Sequence, residues 1–228
     1  MLAKEQIFNQ VEEDFGRIEL MCNELAAYLS DQYSRKIVGI YDGDGAKEYY
    51  QSSSPEEQKA VFKSLVNYYS LIIDAVSKDV DLNDSATALR HSLEWNGLAT
   101  YDEIFTEITK DSVIEMFDLK FCQFWRSDNF FKHSSHSLAA LFCKPFNLNF
   151  KKEPPEVEHQ IIGAATALLT DQKDFILDVT KAHKIIEIGA REGIENRGTV
   201  KYASILLKQN EIVGVISLIN LSKINKIN

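Results

Sequence analysis

The side chains best suited to chemistry are five histidines and three cysteines, scattered through 228 residues. His133 and His136 form an H-x-x-H pair in the segment HSSH. On a helix that spacing would set both imidazoles on one face, where they could hold a metal or a haem iron. The stretch 127–136 reads instead as a polar turn with no acid or thiol at ligand spacing, which favours solvated histidines. Cys122 and Cys143 fall on what read as neighbouring strands, as a redox pair or as buried free thiols. His91, in Arg90-His91-Ser92, sits on a short helix as a phospho-accepting histidine would, but no Gly-rich nucleotide-binding segment follows. Asp42-Gly43-Asp44-Gly45 begins like a calcium loop. Ala46 and Ser53 then stand at the fifth and twelfth positions, where that loop needs oxygen ligands. No phosphate-binding loop, serine elbow or H-E-x-x-H motif occurs. With no nucleophile–base or metal constellation, the chain reads as a protein that binds and not as an enzyme.

The composition sets the frame for these residues. Hydrophobic residues make up 45% and charged residues 26%, as in an ordinary globular protein. Lys+Arg is 25 against 34 Asp+Glu, a net charge of −9. Such a chain lacks the broad positive field of a nucleic-acid binder. The stretch 201–228 holds Lys201, Lys208, Lys223 and Lys226 against Glu211 alone, and reads as a solvated edge. No apolar run reaches the ~18–20 residues that span a bilayer, and no secretion signal opens the sequence. Scattered thiols and no leader give the expectation of a cytoplasmic protein.

The hydrophobic pattern divides the chain near residue 98. In 4–35, Ile7, Val11, Phe15, Ile18, Cys22, Leu25 and Leu29 recur at three- and four-residue steps, one stripe of a long helix. Lys36–Tyr41 reads as a short strand. Ser54-Pro55-Glu56-Glu57 opens a helix to about Val76 with a hydroxyl cap, a proline and two acids. Ser85 is read as the cap of a helix through Glu94 that ends at Asn96-Gly97. Beyond Gly97 a helix is expected from Thr100 or Asp102 through Phe117, then strands at Lys120–Arg126 and Leu138–Pro145. Lys151–Pro155 reads as a loop, Glu156–Leu169 as a helix and Asp174–Val179 as a strand. After it comes a Gly-containing loop with helical pieces. A hairpin, Val200–Leu207 and Ile212–Leu221, closes the pattern. The expected fold is α+β: a helical region, 1–98, and a second domain, 99–228, with an antiparallel sheet flanked by helices.

That hairpin carries a resemblance. Tyr202-Ala203-Ser204-Ile205-Leu206-Leu207, a four-residue turn, and Ile212-Val213-Gly214-Val215-Ile216-Ser217-Leu218-Ile219-Asn220 are similar to the closing strands of GAF domains. The order of elements over about 100–221 fits the same family, with Ile162–Asp178 resembling its segment of Gly, small residues, a Thr-containing turn and a strand ending in Asp. The Asn-Lys-x-x-x-Phe-Asp-Glu run of cyclic-nucleotide-binding members is absent, as are the cysteines of the sulfoxide-reducing ones. No Cys accompanies His183, as bilin attachment would require.

The resemblance implies a pocket over one sheet face, under the segment connecting the mid-strands. By position it would be lined by Gln123 and Trp125 of the first strand, Thr180 and His183 after Asp178, and Tyr202 and Ser204 of the penultimate strand. The function it implies is regulatory: a sensory module that binds a small molecule or a signalling protein and passes a conformational change to the helices. A ligand-free scaffold and a haem- or metal-based sensor using His133, His136 or His183 are the rivals. The sequence names no cofactor. The long Ile7-to-Leu29 stripe and the lack of a closing helix after Leu221 suggest a homodimer paired through helices, with neither nucleic acid nor membrane as a partner.

Overall fold

A capping box opens the helix at the centre of the molecule. Ser54 Oγ accepts from the Glu57 amide, and the Glu57 carboxylate reaches back to the Ser54 amide, with Pro55 in the first turn. This satisfies donors that a helix start leaves free. The computed structural model describes residues 15–110, 112–171 and 173–226. Its first half is helical: α1 (Phe15–Tyr33), α2 (Ala46–Ser52), α3 (Pro55–Ser77), α4 (Ser85–Asn96) and the short α5 (Glu103–Glu107). Asp84, not Ser85, caps α4 by accepting from the Thr87 amide, and Gly97 ends it in the left-handed region.

The second half is an antiparallel sheet with helices on it. Its elements are β1 (Ser112–Asp118), β2 (Gln123–Arg126), α6 (Leu138–Cys143), α7 (Phe146–Asn149), β3 (Phe150–Glu153), α8 (Glu156–Thr170), β4 (Phe175–Leu177), β5 (His183–Glu187), β6 (Ile194–Lys208) and β7 (Glu211–Lys226). The strands run in the order β2-β1-β7-β6-β5-β3. β4 joins β6 at 202–204, along the edge that β5 takes at 195–198. The sheet curls. A 3-10 helix after β2 (Asp128–Lys132) brings Phe130 to 5.9 Å from Phe150 of β3, linking the two ends of the strand order. The α+β architecture with a curled, helix-flanked antiparallel sheet is the expected one.

One apolar cluster runs through both halves. Ile18, Leu25 and Leu29 of α1 and Leu65, Tyr68 and Leu71 of α3 pack with Ile114, Met116, Ile216 and Leu218 of the sheet. Each fully buried aliphatic side chain of this set contributes about 1.5–3 kcal/mol. The α1 stripe is therefore covered within the chain from Phe15 to Leu29. Ile7 and Val11 lie outside the described residues. The opposite sheet face carries a smaller cluster, Ala203, Ile205 and Val215, against Leu168 of α8.

Several local expectations are corrected. Val113–Phe117 is strand β1, not helix. The helix stops at Glu107, and β7 supplies a full ladder from Ser112 to Asp118, which overrides the apolar spacing. Leu138–Cys143 is helix α6, not strand. Its Ser137 cap accepts from the Ala140 amide, and Val38 and Gly39 carbonyls accept from the Leu138 and Ala139 amides. Those carbonyls are why 36–41 is no strand: the segment serves a helix start and, among the described residues, has no sheet neighbour. Lys151–Pro155 is not simply loop, because Phe150–Glu153 forms edge strand β3 on β5. The segment after Val179 holds strand β5, not helical pieces. Residues 127–136 are not a solvated turn either: Asp128, Asn129, Phe130, Phe131 and His136 are all buried.

Candidate functional site

The curl of the sheet separates the six residues expected to share a pocket. Trp125 pairs with Met116, Met116 with Ile216, and Ile216 with Ser204. Trp125 and Ser204 thus share a face but stand three strands apart, about 14 Å. Gln123 stays with Trp125 on β2, where its side-chain amide donates to Glu115 at 2.7 Å. The other four gather around β4, β5 and β6. Tyr202 stacks on Phe175 with ring centres 5.7 Å apart. Ser204 Oγ donates to the Asp174 carbonyl at 3.0 Å. Thr180 Oγ1 accepts from the Val200 amide and lies 3.3 Å from His183 Nδ1. Burial holds the His183 imidazole below its usual pKa, so it is neutral at pH 7. Trp125, Tyr202 and Ser204 are buried, with Trp125 and Tyr202 in the main core. The void between Gln123, Trp125, Arg126, Tyr68 and Phe142 is only about 20 Å³, room for a single water-sized molecule.

The space that could hold a metabolite lies lower on the sheet. A hollow of about 700 Å³ opens over β3, β5 and β6, beside the start of α8. Its floor is a cross-strand row, Glu153–Lys184–Arg197, drawn from β3, β5 and β6. Lys151 lies two residues along β3 on the same face. Pro154, Pro155, Ala182 and Ile224 add apolar wall. Lys151 pairs with Glu153 at 2.8 Å and Lys184 with Glu195 at 3.0 Å. Of the sequence candidates only His183 reaches this hollow. The signal that could have marked it is the run of basic residues in short polar strands at one end of an acidic chain. That run was hidden because β3 and β5 read as loops.

The remaining candidates serve the fold. His136 is buried, with Nε2 2.8 Å from the Asn149 carbonyl. Asn196 Nδ2 donates to the carbonyl of His133. His91 is buried in α4, 3.4 Å from Asp74. Asp44 accepts from the Ala46 amide and the Ser137 hydroxyl, tying the 42–45 turn to α6. Cys122 is exposed between β1 and β2, whereas Cys143 ends α6 in the core; they do not sit on neighbouring strands. Among the described residues, no group of three or more His, Cys, Asp or Glu is placed to hold a metal ion.

Beneath β2 lies a buried ionisable pair that sequence reasoning missed. Tyr68 of α3 donates to Asp128 Oδ1 at 2.5 Å, and among the described residues Asp128 Oδ2 has no hydrogen-bond partner. Burial raises the Asp128 pKa to about 7, against smaller lowering by the Tyr68 hydrogen bond and Lys132. A carboxyl whose pKa is higher folded than unfolded stabilises the protein fully below its unfolded pKa, and that stability is lost as pH rises through about 7. Asp128→Asn keeps an acceptor for Tyr68 and removes the charge. It should nearly match the wild type near pH 4 and exceed it by up to about 4 kcal/mol at pH 8. Urea midpoints from pH 4 to 8 check this, and parallel curves for the two proteins would refute it.

No protein-family model matches the chain, and no curated protein matches it. Among the described residues no helix is long and apolar enough to cross a membrane.

Proposed function

We propose that the chain is a cytoplasmic regulatory protein whose GAF-like sheet binds a small molecule, without catalysis of its own, and relays occupancy to the helical region. The observation that carries this reading is the hollow of about 700 Å³ floored by β3, β5 and β6. Its volume falls within the range of small-molecule sites. Strand β6 runs from Arg197 in the hollow, through an irregularity in its register between Val200 and Tyr202, to Tyr202 and Leu206 in the core. A ligand that favours one setting of that strand would bias how the helices pack.

The homodimer belongs to the same proposal. Because the α1 stripe is buried from Phe15 onward, pairing would have to use another surface. Helix α8 offers one: only Val157 and Leu168 of its residues are buried, and Ile162 is 53% exposed. Sedimentation at micromolar concentration tests it, and a monomer would reject it.

Native mass measurement of the purified protein, followed by small-molecule extraction, tests the binding reading. A stoichiometric adduct released on unfolding is the expected result. A bare mass, together with no response to a broad metabolite set, would favour the ligand-free scaffold.

A further inference from the structure

We infer that the hollow is selective for an organic anion: one carboxylate, sulfonate or phosphate group on an apolar body. This rests on the binding reading above and adds the chemistry of what is bound. The first observation is the floor of the hollow. Lys184 and Arg197 are directly opposed across β5 and β6. Lys184 also has the Glu195 carboxylate at 3.0 Å, so the positive charge an anion would meet between the two strands is chiefly that of Arg197.

The second observation is the balance of partners. Lys151 and Lys184 each have a carboxylate, Glu153 and Glu195. Three cations against two carboxylates leave one positive charge, and it sits on Arg197, which has no ion pair among the described residues. In a chain of net charge −9 this is a local reversal of sign. A guanidinium presents paired N–H donors that match a carboxylate, sulfonate or phosphate edge. The third observation is the wall: Pro154, Pro155 and Ile224 provide apolar surface beside the guanidinium, with Ile224 40% exposed. A bare inorganic ion would leave that surface unused. An anionic head on an apolar body uses both.

A matched pair of dyes separates the contributions. 8-Anilinonaphthalene-1-sulfonate carries one sulfonate, and N-phenyl-1-naphthylamine is the same apolar body without it. Fluorescence titration should give one saturable sulfonate-dye site per chain, weakened by added salt. Arg197→Gln should weaken that dye at least about tenfold, the loss of one charge-assisted contact. The same change should leave the neutral dye and the melting temperature unaltered. Glu153→Gln removes the only lining carboxylate among the described residues and should tighten the sulfonate dye several-fold, which a purely structural role for Glu153 would not do. Equal binding of both dyes, indifferent to Arg197→Gln, would overturn the anion selectivity while leaving a binding protein. Failure of both dyes, with a bare mass in the native measurement, would overturn both readings.

Discussion

Replacing Glu187 by alanine should cost about 3–5 kcal/mol. The side chain is 6% exposed and its two oxygens take four donors. Oε1 accepts from Ser134 Oγ at 2.7 Å and the Ser135 amide at 2.6 Å. Oε2 accepts from Ser135 Oγ and, at 2.8 Å, from the Ile194 amide. The carboxylate thus pins the segment before α6 to the end of β5 and the start of β6. Hydrogen bonds to a charged group contribute about 1.5–3 kcal/mol each, and orphaned buried donors cost about 1–3 kcal/mol. Four such contacts do not add in full, because the hydroxyls can turn away and water can enter. For a chain of this size the loss lowers the melting temperature by about 10 °C. Glu187→Gln keeps one oxygen and should lose roughly half as much. A change under about 1 kcal/mol in urea denaturation of Glu187→Ala would show that the segment is held by other contacts.

Gly214→Ala should be comparably damaging, though it adds a single methyl. Gly214 is paired with Asp118 where β7 meets the end of β1. A Cβ there would sit 2.0 Å from the Phe117 carbonyl oxygen and 3.1 Å from its carbon. Those are backbone atoms, so no rotamer change relieves the overlap and the strands must part. Overpacking of this kind costs about 1–3 kcal/mol, and the backbone clash puts Gly214 at the upper end. Gly163 is the control. It lies within α8 with nothing among the described residues within 4 Å of the added atom, so Gly163→Ala should stabilise by about 0.5–1 kcal/mol. Chemical denaturation of both variants checks the contrast. Equal small effects would mean that β1 and β7 separate here at little cost.

The parts of the fold legible in sequence were those written locally. The Ser54-Pro55-Glu56-Glu57 helix start, the Gly97 terminator and the Lys208–Glu211 turn each specify their geometry within a few residues, and each stands where expected. Short apolar runs were not decidable that way. SVIEMFD is a strand because β7 lies beside it, and LAALFC is a helix because Ser137 and two distant carbonyls satisfy its start. Neither neighbour is visible from the segment itself. The binding site suffered more from this ambiguity than the fold. Tyr202, Ser204 and Trp125 do share a sheet face, as alternation allowed, but helices cover that face. The hollow instead draws on Lys151, Lys184 and Arg197, brought together by β3 and β5 pairing. Charged residues at alternating positions in short strands give no apolar signal to find them by.

The register of β1 has a consequence for how the chain is made. From Ser112 to Asp118 its long ladder is with residues 214–220 of β7, about a hundred positions later in the sequence. At about 5–20 residues per second a ribosome takes roughly 5–20 seconds to supply that partner. Meanwhile β1 can pair only with β2, and two strands alone are at best marginally stable in water. The core cluster that α1 and α3 share with Ile216 and Leu218 waits for the same segment. The nascent chain therefore carries uncovered hydrophobic surface until its final hairpin emerges, and that interval is when a chaperone would be needed most.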